Sequence, residues 1–205
     1  GLAKSARTAE FMAQALNRRA LVETRNGAYK AAVTTATAAL RAARRSKRTP
    51  LIAMSLFRLA EAQMRETLTE QSVANATRSA ELFDRLGDAS GHGRAQWVLA
   101  TALSNLGRAA ETDRAASRAL ELCRSCGDLY GAGNALNMLT FNEGNHAVRL
   151  KRLGLALADF KSAGYVERQQ VITLNLGITY SQLGLNRRAR RLLLLLMSRA
   201  NSSQL

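Results

Sequence analysis

Cys123-Arg-Ser-Cys126 is the first arrangement in this chain whose residue types could do chemistry. Two thiols at this spacing serve either zinc or a dithiol–disulfide couple. Zinc needs four ligands, and the only histidines, His92 and His146, lie beside neither cysteine in sequence. A redox pair gains from a helix N-terminus, where the dipole favours thiolate; these cysteines fall at a predicted helix end, where it opposes it. They are expected to be small buried or half-buried thiols. With no further cysteine, nothing points to an oxidising compartment.

Two other groupings fail the same test. Glu143 and His146 flank Gly144 and resemble an acid–base pair, but no nucleophile, metal or second carboxylate stands nearby, so a solvated turn is expected. The glycine-rich "GDASGHG" at 87–93 follows a helical stretch rather than a strand and lacks a phosphate-binding lysine, so it is neither a P-loop nor a dinucleotide fingerprint. The sequence therefore offers no catalytic constellation and calls for no metal or cofactor.

Charge is the remaining chemical signal. Residues 1–50 carry 11 basic and 2 acidic side chains (+9), residues 51–144 carry 9 and 11 (−2), and residues 145–205 carry 10 and 2 (+8), which sum to the net +15. Both ends are basic and suited to acidic partners. "RAARRSKR" at 41–48 closes a predicted helix, where the dipole favours cations, and reads as a solvated face. "RRARR" at 187–191 opens a helix, where the dipole disfavours them, yet it too reads as a solvated face. Contact with nucleic-acid phosphates is the alternative use of these runs, but no aromatic residues interleave them for base stacking.

The elements that must carry these residues are helices. With 47% apolar residues, 5% aromatics and a single proline, Pro50, the composition is all-α. The longest apolar run, residues 192–197, is too short to span a bilayer, and the first twenty residues hold no signal core, so a soluble cytoplasmic protein is expected. A start at Gly1 suggests a fragment of a longer chain.

Glycines at 27, 87, 107, 127, 144, 164 and 184 set a step near 20, and the two vacant points fall at Lys47 and Thr67. Each interval holds a helix-period apolar face, such as Ala95, Leu99, Ala102, Leu103 and Leu106. Each closing glycine supplies the left-handed residue that ends a helix. Asp88 and Asp128 are placed to cap the helices that follow. Pro50 suits a first helical turn. The predicted pairs are 4–26 with 28–46, 50–66 with 69–86, 88–106 with 108–126, 128–143 with 145–163, and 165–183 with 185–203. No linker interrupts them, so a single repeat domain over residues 1–205 is expected.

"NLGITYSQLG" at 175–184, with Leu176, Gly177, Tyr180 and the closing Gly184, resembles the first helix of a tetratricopeptide repeat (TPR). Leu99, Ala100, Leu103, Ala116 and "RALEL" at 118–122 repeat the likeness in the third pair. The period near 40 exceeds the family's usual 34. Such longer repeats are similar to the helical arms of large bacterial signalling ATPases, transcriptional regulators and nucleotide cyclases. The resemblance implies a right-handed αα superhelix, a TPR-like solenoid of about five antiparallel pairs. Gly177 would then admit the paired helix, with Leu176 and Tyr180 filling the gap.

The resemblance also implies where a partner lies: on the first helices, at fixed offsets before each closing glycine. Those offsets select Asn17, Arg18 and Arg25 in the first pair, then Phe57, Arg58 and Arg65 in the second. They select Arg94, Trp97, Val98, Thr101, Ser104 and Asn105 in the third. The fourth contributes Asn134, Met138, Phe141 and Asn142, and the fifth Asn175. Asparagines hydrogen-bond an extended backbone, arginines grip carboxylates, and aromatics offer anchors, so an acidic or carboxylate-bearing protein segment is the expected ligand. The competing reading makes Phe57, Trp97 and Phe141 helix-packing residues. The expected function is a non-enzymatic interaction module, a sensor or assembly arm in signal transduction; the alternative is a nucleic-acid-binding solenoid.

The last helix is apolar on every side from Leu192 to Met197, where a terminal repeat should be polar outside. A following repeat, another domain or a symmetric partner is expected to cover it. A homodimer through Leu192, Leu193, Leu195, Leu196 and Met197 is one form that cover would take.

Overall fold

The structure, a computed structural model, describes residues 2–202, with side chains from 5 to 198. Among the described residues there are ten helices and no strand. The chain divides into two compact units, Gly1–Cys126 and Gly127–Leu205. The first holds α1 (Leu2–Arg25), α2 (Tyr29–Ser46), α3 (Thr49–Arg65), α4 (Thr69–Arg85), α5 (Ala89–Asn105) and α6 (Ala109–Ser125). The second holds α7 (Leu129–Met138), α8 (His146–Ser162), α9 (Val166–Gln182) and α10 (Asn186–Ser202).

The turns follow the glycine spacing. Gly27, Gly87, Gly107, Gly127, Gly164 and Gly184 all have positive φ. After most of them the next amide reaches back to a carbonyl of the preceding helix: Ala28 to Glu23, Asp88 to Phe83, Arg108 to Leu103, Tyr165 to Phe160 and Leu185 to Tyr180. This is the Schellman closure, which satisfies carbonyls the helix end leaves open. The two vacant points obey the same geometry without glycine, for Lys47 has φ 56° and Thr67 has φ 65°. Asp88 and Asp128 cap α5 and α7 by accepting from the Gly91 and Gly131 amides, and Pro50 stands in the first turn of α3.

Gly144 departs from the series. It is not among the positive-φ glycines, and α7 ends at Met138 rather than running to 143. Side chains take over the helix end: Thr140 Oγ1 donates to the Asn137 carbonyl and Arg152 to that of Leu139. Glu143 ion-pairs with Arg152 at 2.9 Å and accepts from the Asn145 amide, while Asn145 caps α8. The expected solvated turn is thus an ordered loop held by Arg149 and Arg152.

In the first unit each helix packs on its pair partner, and the pairs stack through α2 on α3, α4 on α5, α1 on α3 and α3 on α5. Alanine makes this possible. Ala32, Ala36, Ala39 and Ala43 form a fully buried stripe along α2. Leu40, Leu56 and Leu59 fill the space between pairs, beside Ala20 and Ala36; each buried leucine contributes about 1.5–3 kcal/mol. Buried serines join α4 to α3, Ser72 donating to the Ala60 carbonyl and Ser79 to that of Ala53.

The closest approaches lie at glycines other than Gly177. A Cβ on Gly93 would stand 2.5 Å from Cys123 Sγ, and one on Gly133 would stand 2.8 Å from the Phe160 ring. A Cβ on Gly177 would meet Leu193 at 3.4 Å, an ordinary contact, so the expected close approach there is corrected. Cys123 is buried as expected; Cys126 is exposed, its helix-end position leaving it outside the core.

Candidate partner-binding face

In each unit, polar side chains at one recurring interval join a pair of successive first helices. In the first unit Asn17 Nδ2 donates to Ser55 Oγ at 2.9 Å, linking α1 to α3. In the second, Asn175 Nδ2 donates to Asn137 Oδ1 at 2.8 Å, and Arg168 Nη2 to the Tyr130 hydroxyl at 3.3 Å, linking α7 to α9. All three pairs are 38 residues apart. A polar seam thus joins α1 to α3 in the first unit and α7 to α9 in the second. Arg168 also lies 5.8 Å from the Tyr130 ring, which contacts Tyr165 at 4.6 Å and Phe160 at 6.1 Å.

The selected residues separate into those turned outward and those folded in. Arg18, Arg25, Arg65 and Asn105 are exposed; Arg94, Thr101, Ser104 and Asn175 are half-buried. Arg58 is half-buried, ion-paired with Glu61 at 2.9 Å and stacked 5.0 Å from the Phe57 ring. Phe57 and Trp97 are each 4% exposed, Met138 3% and Val98 fully buried. These are packing residues, and the anchor role expected for Phe57 and Trp97 is corrected: their apolar area is already spent within the fold. Asn17 and Asn134 are buried too, Asn134 donating to the Tyr130 carbonyl. Phe141 and Asn142 are exposed, but they sit in the loop after α7 instead of on its face.

Sequence reasoning passed over Ser55, Asn137, Tyr130 and Arg168. The available signal was the pairing of polar residues 38 apart, which the glycine-anchored offsets do not sample.

Electrostatics distinguish one further group. His92 on α5 is buried, with Nδ1 3.2 Å from Asp84 Oδ1 on α4 and Nε2 3.3 Å from Gln96. Burial pushes its pKa below the usual histidine range; Asp84 opposes this, and Arg118 on α6 adds to it. Among the described residues no His, Cys, Asp or Glu cluster could hold a metal ion, and no helix is long and apolar enough to cross a membrane.

On α10, Leu193, Leu194, Leu195 and Met197 are exposed, while Leu192 and Leu196 are half-buried. Only Ala189 of this helix, among the described side chains, is buried.

No family model matches the sequence, and no curated protein matches it. Solved structures do. A Rap protein complexed with competence and sporulation factor superposes with a TM-score of 0.79 at 15% identity, over 88% of this chain and 52% of that one. This chain thus spans about half the length of that protein. BtubC (BKLC) of P. vanneervenii gives 0.69 at 14% identity, over 99% and 92%. The kinesin light chain TPR-like repeats of Podosopora anserina give 0.65 at 16%, over 93% and 95%. At such identity the likeness speaks for the fold alone, and the fold it gives this chain is the TPR-like helical repeat.

Proposed function

We propose that this chain is a non-enzymatic interaction module that binds an acidic or carboxylate-bearing protein segment along the exposed side of the first helices of its first unit. The observation that carries the reading is the polar seam between first helices, Asn17–Ser55 in one unit and Asn137–Asn175 in the other, with Arg18, Arg25 and Arg65 exposed on the seam's own helices in the first. The seam fixes the spacing of those helices. Each carboxamide has more hydrogen-bonding capacity than one bond uses, so half-buried Asn175 gives the second unit a backbone contact of its own. Arginine supplies bidentate recognition of carboxylate. Arg58 supports the face from beneath, since Glu61 already neutralises it. The Rap protein complexed with competence and sporulation factor is the precedent for this fold holding a partner. A sensor or assembly arm of a bacterial regulator is the setting that suits such a module.

The test is an array of extended peptides graded in Asp and Glu content, measured against the chain and its Arg18→Glu/Arg65→Glu variant. Both positions are exposed, so the variant keeps its fold. Binding that grows with acidic content, weakens with salt and falls at least about tenfold in the variant supports the reading. Affinity independent of both charges removes it.

Nucleic-acid binding is the second reading. Arg41, Arg44, Arg45, Lys47 and Arg48 are all exposed at the end of α2. It predicts a steep salt slope that survives Arg18→Glu/Arg65→Glu and collapses when the α2 cluster is neutralised.

A further inference from the structure

Equivalent positions in different pairs have different surroundings, and the contrast marks a second surface. Ten residues before the four left-handed turns that close first helices, at Gly27, Thr67, Gly107 and Gly184, stand Asn17, Phe57, Trp97 and Leu174; the first three are 4–6% exposed, and Leu174 is 44% exposed. Thirteen residues after each turn stand Leu40, Ala80, Leu120 and Met197. Leu40 is 6% exposed, Ala80 3%, and Leu120 half-buried, whereas Met197 is 63% exposed. In the first pair a helix provides the cover: Leu40 packs on Leu56 and Leu59 of α3, and Asn17 bonds Ser55 of α3. The edge made by α9 and α10 therefore has the shape that a helix covers elsewhere in this chain. It adds Ile178, 47% exposed, on the same side of α9 as Leu174.

Charge decides which helix fits. The first half of α10 carries Arg187, Arg188, Arg190 and Arg191, all exposed, and α10 contains no acidic residue. Arg187, Arg190, Arg191 and Leu194 share one face at helical spacing, and Met197 extends its apolar end. Arg188 lies 5.9 Å from the Tyr180 ring. A helix laid on this edge meets cations at one end and leucine-type side chains at the other. Either end of a second copy is a poor match, because residues 145–205 carry 10 basic and 2 acidic groups and residues 1–50 carry 11 and 2. Either pairing sets like charge against like.

From this we infer that the α9–α10 edge docks an acidic amphipathic helix of a partner protein, at a site separate from the face proposed above. The helix places Leu-type side chains on Leu174, Ile178, Leu194 and Met197 and sets Glu or Asp against Arg187, Arg190 and Arg191. The mode is helix-in-groove recognition with a charged register mark.

The experiment uses the whole chain and three synthetic helical peptides of about 20 residues: an acidic amphipathic one, a twin with Lys for every Glu, and an acidic one with its apolar face changed to Gln. Fluorescence anisotropy gives each affinity, and sedimentation gives the mass of the chain alone. The expected result is binding of the acidic amphipathic peptide only. Met197→Glu should weaken it at least about tenfold, and Arg190→Glu/Arg191→Glu should transfer preference to the Lys twin. That transfer is a gain that a misfolded variant would not show. Arg18→Glu/Arg65→Glu should leave this binding unchanged, so the two sites stand or fall separately. Equal binding of the Lys twin by the parent chain, binding indifferent to Met197→Glu, or no binding at all overturns the inference. So does a dimer of the chain alone that Met197→Glu dissolves, which assigns the edge to a second copy.

Discussion

Cys123 Sγ occupies the place a Cβ on Gly93 would need, 2.5 Å from it, with the Ala119 carbonyl and Leu122 Cβ each at 3.3 Å. The glycine and the thiol together set how closely α5 and α6 pack. Gly93→Ala is expected to destabilise the first unit by about 1–3 kcal/mol through overpacking. Cys123→Ala in the same chain should return part of that loss, since it removes the clashing sulfur. Chemical denaturation of the two single variants and the double variant measures the coupling. Strict additivity would show that the contact does not set the spacing.

Thr67 holds φ 65° in a turn where three other pairs use a left-handed glycine, Gly27, Gly107 and Gly184. A left-handed non-glycine residue costs about 1–2 kcal/mol, and glycine returns about 0.4–1 of that as unfolded-state entropy. Thr67→Gly should therefore stabilise the chain by up to about 1 kcal/mol, read as a raised Tm. Gly107→Val should do the opposite; open space surrounds that position, so backbone conformation alone sets the penalty. A destabilised Thr67→Gly would show that the threonine side chain contributes more than its backbone costs.

His92 couples stability to pH. Burial lowers its pKa from the ordinary 6.5, so the folded chain binds fewer protons than the unfolded one in acid. Its contribution is full above about pH 6.5 and is lost as pH falls below that value toward the folded pKa. Melting curves at pH 7.5 and 5.5 should show a larger acid loss in the parent than in His92→Gln. Parallel losses would mean that Asp84 holds the ring equally well when it is charged.

Arg152 donates to the Leu139 carbonyl and pairs with Glu143, binding the loop between α7 and α8 to α8. Arg152→Met should cost about 1.5–3 kcal/mol locally, the range for hydrogen bonds to charged groups. Hydrogen exchange should speed at the amides of 139–145 well before those of α9. Uniform acceleration across the second unit would make the loop part of its cooperative core.

Nearly all the helix boundaries were legible because the turns are chemical events: a left-handed residue closes one helix, and Asp88 or Asp128 opens the next. Even Lys47 and Thr67 could be placed by phase alone. The α7 end was hidden, because it depends on Arg152 reaching across from the following helix, and no local signal encodes that. The candidate face was half legible. Helical spacing finds which residues lie on first helices, but it cannot separate Arg18, which is exposed, from its neighbour Asn17, which is 6% exposed and bonded to α3. For the same reason Phe57 and Trp97 looked like anchors. A large aromatic carries equal apolar area whether a ligand or a neighbouring helix covers it.

The 38-residue interval holds in both units although the connections differ in kind. Tight Schellman turns join α1 to α2, whereas α7 gives way early to a seven-residue loop, 139–145, before α8. Inserting one residue inside a helix rotates everything beyond it by about 100°, and would carry Asn175 off Asn137. The loop has no helical phase to keep. A duplication or deletion there can be absorbed, whereas one within α7 or α9 would unzip the seam. The loop is thus the place where this array can change length and keep its inner register.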